Sequence, residues 1–214
     1  MSYLEQFFVV AAVHLLAVAS PGPDFAIILK QSIRYDRRIA IFTSLGIGTG
    51  ILLHVTYSLV GVGVIIASDE RLFTVLKYIA ASYFCYIAWH GLRAKKPSGS
   101  INDLNVSINN YDQTPSAKNA FFTGFLINGL NVKATLFFVS VYSVVIAPET
   151  PFSIKLGYGL YMAAATAIWF VFLSYLLTHH KMRNFLQIKG YLIDRVMGAV
   201  LLLLAIQIVA SDLG

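Results

Sequence analysis

Residues 39–68 read IAIFTSLGIGTGILLHVTYSLVGVGVIIAS, a run without Asp, Glu, Lys or Arg. A bilayer core is about 30 Å thick, and a helix needs roughly 20 apolar residues to cross it. This run is long enough, and it is apolar all round rather than along one stripe, so it reads as a transmembrane helix and not as a strand. Working outward, the same kind of run recurs. One extends from about Leu4 into the late twenties and is interrupted by Ser20-Pro21-Gly22-Pro23-Asp24. Others cover Leu72 to Leu92, with Lys77 near the start; Ala120 to Ala147, with Lys133 as the only formal charge; uncharged Leu156 to Thr178; and Tyr191 to Ala210, with Asp194 and Arg195 near its start. The expectation is an all-α membrane protein of six transmembrane helices. Hydrocarbon offers no partner to a free backbone N–H or C=O, which favours helices over open strands.

Composition agrees. Of 214 residues, 57% are hydrophobic and 12% charged, and the mean hydropathy is +0.71. Soluble domains carry roughly 25% charged residues. The net charge of +6 does not point to nucleic acid, because the basic residues sit between apolar runs rather than on one polar face. Cys85 is the only cysteine, which rules out an internal disulfide, a CxxC redox pair and a cysteine metal cage. No GxxxxGK[ST] loop is present, so no nucleotide-driven pump is expected, and neither cofactor nor metal. Phe7 to Val18 resembles the core of a signal peptide, with Ala17-Val18-Ala19 as its cleavage site. The preceding residues carry Glu5 in place of Lys or Arg, and Pro21 follows the site, so the segment is read as a retained span.

Charge sets the orientation. Lys30, Arg34, Arg37 and Arg38 follow the first span; Arg93, Lys95, Lys96 and Lys118 follow the third; Lys181, Arg183 and Lys189 follow the fifth. The other two loops have only Arg71 and Lys155. The positive-inside rule places the three basic loops in the cytoplasm and both termini outside. The segment 94–117, rich in Ser, Asn and Asp, reads as a flexible cytoplasmic linker between a first three-helix repeat, 1–93, and a second, 118–214. A shift of 109 residues lays Gly22-Pro23-Asp24 on Asn131-Val132-Lys133, and brings Gly46-Ile47-Gly48 within two positions of Gly157-Tyr158-Gly159. An odd number of spans per repeat makes the halves inverted. Inverted repeats with matching helix interruptions point to a transporter binding site.

The interruptions carry the chemistry. Pro21 and Pro23 each remove an N–H donor and push the preceding residue out of the helical region. Gly22 frees the backbone, and Asp24 opens a second short helix. The bland alternative is a proline kink with Asp24 as a helix-start residue. In the second interruption, Gly129 and Asn131 tolerate left-handed geometry and Asn131 can cap the next helix. Asn128 lies just before them, and Lys133 is an intramembrane lysine, expensive unless paired or functional, its bland alternative being snorkelling. Asp24 and Lys133 occupy equivalent positions with opposite charge, which suits an amino-acid zwitterion. Asp24 would face the ammonium and Lys133 the carboxylate, with free N–H groups of the half-helices adding to the carboxylate site. Without substrate, the two would pair with each other. Asp24, His14 and His54 are the candidates for proton coupling, against the plainer reading of the histidines as hydrogen-bonded between helices. Gly46 and Gly50 form a GxxxG spacing for close helix packing, which also permits a homodimer, and Gly61 and Gly63 read the same way.

Ala19-Ser20-Pro21-Gly22-Pro23-Asp24, followed by basic residues and Gly46-Ile47-Gly48-Thr49-Gly50, resembles the lysine-exporter (LysE-type) family of amino-acid effluxers, and within it the homoserine and threonine efflux branch. Gly124, Asn128 to Lys133 and Phe137-Phe138 extend the resemblance over nearly the whole chain. Two departures stand out. The family's Asn-Pro-Lys reads Asn131-Val132-Lys133 here, which weakens the case for a second break. A later Pro-Gln-Phe is replaced by Val141-Tyr142-Ser143-Val144. The resemblance implies a secondary exporter of small or neutral amino acids, driven by the proton gradient as an antiporter with alternating access in a cell inner membrane. Its partners would be the amino acid, the proton and the bilayer. The alternative is an ion or metal permease or channel; an enzyme has no supporting motif.

The orientation is testable by labelling. A cysteine placed near the N-terminus is expected to react with a membrane-impermeant maleimide in intact cells; reaction only after permeabilisation contradicts the topology.

Overall fold

The computed structural model describes residues 2–20, 22–35, 37–68, 70–95 and 114–177, and between 189 and 206 all but 190, 193, 197 and 204. Pro21, most of the 94–117 linker and the Lys181–Arg183 loop lie outside these residues.

The first apolar run forms α1 (Tyr3–Ala19) and α2 (Pro23–Arg34). Ser2 opens α1 with a reciprocal capping box. Its hydroxyl accepts from the Glu5 N–H at 3.3 Å, and the Glu5 carboxylate accepts from the Ser2 N–H at 2.8 Å. The helix stops at Ser20, and fully extended Gly22 (φ −166°, ψ −169°) leads into Pro23 at the first position of α2. The two pieces are bent by 51°.

The fourth run repeats the device. Ser116 caps α5 (Ala117–Gly129), and Asn131 caps α6 (Val132–Ser140), which runs on as a π-helical turn, Val141–Val145. The bend there is 57°. The expected break therefore exists without the family's proline. Among the described residues no residue has a positive φ, so the left-handed geometry allowed for Gly129 and Asn131 is not used. Leu130 (φ −95°, ψ 4°) leaves the helix and Asn131 (φ −77°, ψ 104°) turns it, while the Asn131 side chain accepts the Lys133 N–H at 3.0 Å.

Between these broken pairs run α3 (Arg37–Ser68), α4 (Glu70–Leu92) and α7 (Phe152–Leu176). Residues 189–206 are helical where described. Among the described residues, α3 and α7 are long and apolar enough to cross a membrane, and each bent pair qualifies as one further span. In α4, Lys77, Tyr78, Tyr83, Tyr86 and His90 stand among aliphatic residues.

The bundle is built around α3, whose main neighbours are α5 and α7. Its glycines make this possible. A Cβ on Gly46 would run into the Phe121 carbonyl of α5, and one on Gly50 would come within 2.8 Å of the Asn128 side chain. Gly124 returns the fit from α5 against the Thr43 carbonyl. Gly48, on the other side, lies against Ala163 and Ala167 of α7. The GxxxG face is thus filled by the same chain and is not free for a second copy. Gly61 and Gly63 do not share this role, since a Cβ on either would meet no atom within 4 Å.

Two apolar clusters flank the breaks. Val10, Val55, Phe84, Phe138, Met162 and Leu201 belong to one; Ile28, Ile47, Phe170, Leu173 and Leu177 form the other. Polar clasps fix which helix ends lie together. The Tyr158 hydroxyl donates to the Tyr3 carbonyl (2.7 Å), and Thr150 donates to Gln6 (3.0 Å). At the opposite end of α7, the Arg37 guanidinium lies 4.7 Å from the Tyr175 ring centroid. Basic Arg37 and the start of α1 are therefore at opposite ends of the bundle.

Gly46→Ala should force α3 and α5 apart against rigid backbone and cost about 1–3 kcal/mol, whereas Gly61→Ala should be neutral. Thermal unfolding of the two variants in detergent checks this; equal midpoints contradict the packing.

Candidate functional site

The two breaks meet. The Asp24 Oδ2 atom, in the first turn of α2, accepts from the side-chain amides of Asn128 (3.0 Å) and Asn131 (3.2 Å), one on each side of the second break. Its other oxygen, Oδ1, is buried and has no hydrogen-bond partner among the described residues. Lys133, in the first turn of α6, donates from Nζ to the Ser20 hydroxyl at 3.0 Å. The Lys133 side chain lies against Gly22, where a Cβ would sit in ordinary contact, 3.6 Å from that Nζ. Ser20 in turn donates to Asp194 Oδ1 at 2.6 Å.

A cavity of about 50 Å³ opens here, lined by Ser20, Gly22, Pro23, Asp24, Asn128, Asn131 and Lys133. Its apolar walls include Ile51, Phe137, Phe138 and Phe170, and its depth holds His14 and Thr166. Space of this size holds on the order of three or four waters.

Over residues 15–212 the sequence matches the LysE type translocator family. The chain belongs to that family. It is a membrane translocator, not an enzyme. It is 28% identical to the threonine efflux protein of Salmonella typhi over 210 residues, covering 97% of this chain and 99% of that one. The threonine efflux protein of Escherichia coli K12 gives the same identity and coverage. The homoserine/homoserine lactone efflux protein of Salmonella typhimurium is 26% identical over 147 residues, 69% of this chain and 68% of its own length. No solved structure matches the chain significantly.

In this translocator, the residues singled out from sequence converge. Gly22, Pro23, Asp24, Asn128, Asn131 and Lys133 line one cavity, while Pro21 lies outside the described residues. One expectation needs correction. Asp24 and Lys133 do not form an ion pair; each is held by neutral partners, Asp24 by two amides and Lys133 by a hydroxyl. The Asn131 cap also takes up the Lys133 N–H, so that group is not free for a ligand, whereas no side chain caps α2.

The histidines divide. His14 lines the cavity and bonds Thr166 at 3.0 Å between Nε2 and Oγ1. Buried His54 stacks on Phe138, and its Nε2 lies 2.9 Å from the Asn128 carbonyl. A carbonyl only accepts, so Nε2 carries the proton and Nδ1 accepts from the Tyr57 hydroxyl. His54 thus holds the backbone freed at the end of α5. The residues left unassigned by sequence are Ser20 and Asp194. Ser20 had a signal, since it sits inside the Ala19–Asp24 motif; Asp194 had the weaker one of a carboxylate within an apolar run.

Val132 is 67% exposed and follows an extended residue, the backbone a proline requires. Val132→Pro should therefore be tolerated, and stabilise by about 0.4–1 kcal/mol. A lowered unfolding midpoint would show that valine is needed at the break.

Proposed function

We propose that the chain is a secondary exporter of small neutral amino acids of the threonine or homoserine kind. It works by alternating access and proton exchange in a bacterial inner membrane. The observation that carries this reading is a carboxylate and an ammonium facing one cavity without a direct hydrogen bond between them. The free Asp24 Oδ1 is a ready acceptor for the substrate ammonium. Lys133 Nζ, with one of its three donors used by Ser20, has two left for the substrate carboxylate. The uncapped start of α2 favours the same anion. His14 and Thr166 offer partners to a substrate hydroxyl. The names of the relatives, threonine efflux and homoserine efflux, support this class over an ion or metal permease.

Proton exchange follows from the same carboxylate. A proton and a substrate ammonium each neutralise Asp24, so binding of one opposes the other, which is the mutual exclusion an antiporter requires. His14 is a second candidate for the proton. The similar bends at Gly22–Asp24 and Asn131–Lys133 support six spans in two inverted repeats, 1–93 and 118–214, moving about the shared site. The basic segments support cytoplasmic loops and both termini outside.

Cells loaded with threonine or homoserine through dipeptides should export it faster with the protein than without. Loss of one buried charged contact to the ligand costs roughly 2–5 kcal/mol, so Asp24→Asn and Lys133→Met should each lower export by about tenfold or more. No export by the wild type of any amino acid tested would overturn the function; full export by Lys133→Met would overturn its role.

A further inference from the structure

A second cavity, of about 410 Å³, lies on the other side of Lys133. Its lining comes from α4 (Tyr83, Tyr86, His90), from α6 (Val132, Lys133, Leu136) and from Asp194. It shares only Ser20 and Lys133 with the cavity that holds Asp24. Each cavity therefore has a carboxylate of its own, and the one lysine serves both.

The hydrogen bonds between them have a direction. An ammonium only donates, so the Ser20 oxygen accepts from Lys133 and its single proton goes to Asp194. Ser20 is the sole described hydrogen-bond partner of the Asp194 side chain, which leaves Oδ2 able to accept. Among the described residues Ser20 is the one acceptor of Lys133 Nζ, which leaves it two donors. The pair is thus joined but not saturated, and it presents an acceptor and a donor to the larger cavity. Between them they match the two charged ends of an amino acid. Tyr83 fixes the frame by donating from its hydroxyl to the Lys133 carbonyl at 3.1 Å. The Tyr86 and His90 rings, with centroids 4.5 Å apart, supply a hydroxyl and ring nitrogens to a small side chain.

We propose that this cavity is a second station on the translocation path, where Asp194 takes the substrate ammonium while Lys133 retains the carboxylate. The inference rests on the exporter reading and adds a position to it. The substrate pivots about Lys133, exchanging Asp24 for Asp194, and Ser20 is the divider it passes. The helical phase of α6 supports this, since Lys133 lies between Ala134, which lines only the first cavity, and Leu136, which lines only the second.

The test uses the full-length protein with Cys85 replaced by Ser. Leu136→Cys reports on the second cavity and Ala134→Cys on the first, each labelled by a water-soluble maleimide with and without threonine. Threonine is expected to slow labelling at both positions severalfold. Adding Asp194→Asn should abolish protection at 136 and keep it at 134. The same substitution should leave equilibrium threonine binding within about twofold while export falls by about tenfold. Protection at 134 but none at 136, or unchanged export by Asp194→Asn, overturns the second station and leaves the exporter reading intact. Loss of protection at both positions in Asp194→Asn also overturns it, because the residue would then serve the first site. If wild-type protein shows neither binding nor export of threonine or homoserine, it is the exporter reading that fails.

Discussion

Backbone that leaves a helix inside lipid must find its partners within the protein, and here one carboxylate organises that search. Asp24 draws in the side chains of Asn128 and Asn131 from either side of the second break. His54 takes the Asn128 carbonyl, and Asn131 caps the helix that follows. Each break thus supplies what the other lacks: α2 opens without a side-chain cap but brings an anion, and the second break brings the amides that hold it. Neither interruption has this set of partners alone, so the two bent helices are obliged to meet.

The meeting requires close approach, and α3 provides it. With Gly46 and Gly50 toward α5, that helix comes near enough for Asn128 to reach Asp24. Gly48 lets α7 in from the other side, where Ser44 and Ser174 add a bond of 3.1 Å. Missing side chains on one helix thereby position charged side chains on two others. The resulting cavity is narrow and apolar except for His14, Thr166 and the residues of the breaks, so a ligand there would be read through few polar contacts.

Much of this was legible in the chain. Apolar runs mark helices because lipid leaves the backbone no alternative, and Pro-Gly-Pro marks a break because two donors are missing. The second break was harder. It has no proline, and its cause is a capping side chain, Asn131, whose effect depends on Lys133 following in helical register. In α4, Tyr83 and Tyr86 line a cavity, a placement that composition alone does not reveal. The expected Asp24–Lys133 pair is absent because amides and a hydroxyl satisfy the two charges first, a competition that spacing along a chain does not reveal. Asp194, distant in sequence from both breaks, is joined to them by its hydrogen bond with Ser20.

The placement of α3 also bears on how the protein comes to be assembled. A chain made from its N-terminus delivers α3 to the membrane before α5 and α7 exist. Until they follow, the glycine faces of α3 and the carboxylate of Asp24 have lipid, or the insertion machinery, as their only company. The first half is then an unfinished surface awaiting the second, and tertiary structure closes late, when α5 slides onto Gly46 and Gly50. Helices α5 and α7 pack against α3, so the earlier and later parts of the chain are interleaved in space. Early misplacement of α3 would be felt where Asn128 meets Asp24 rather than locally.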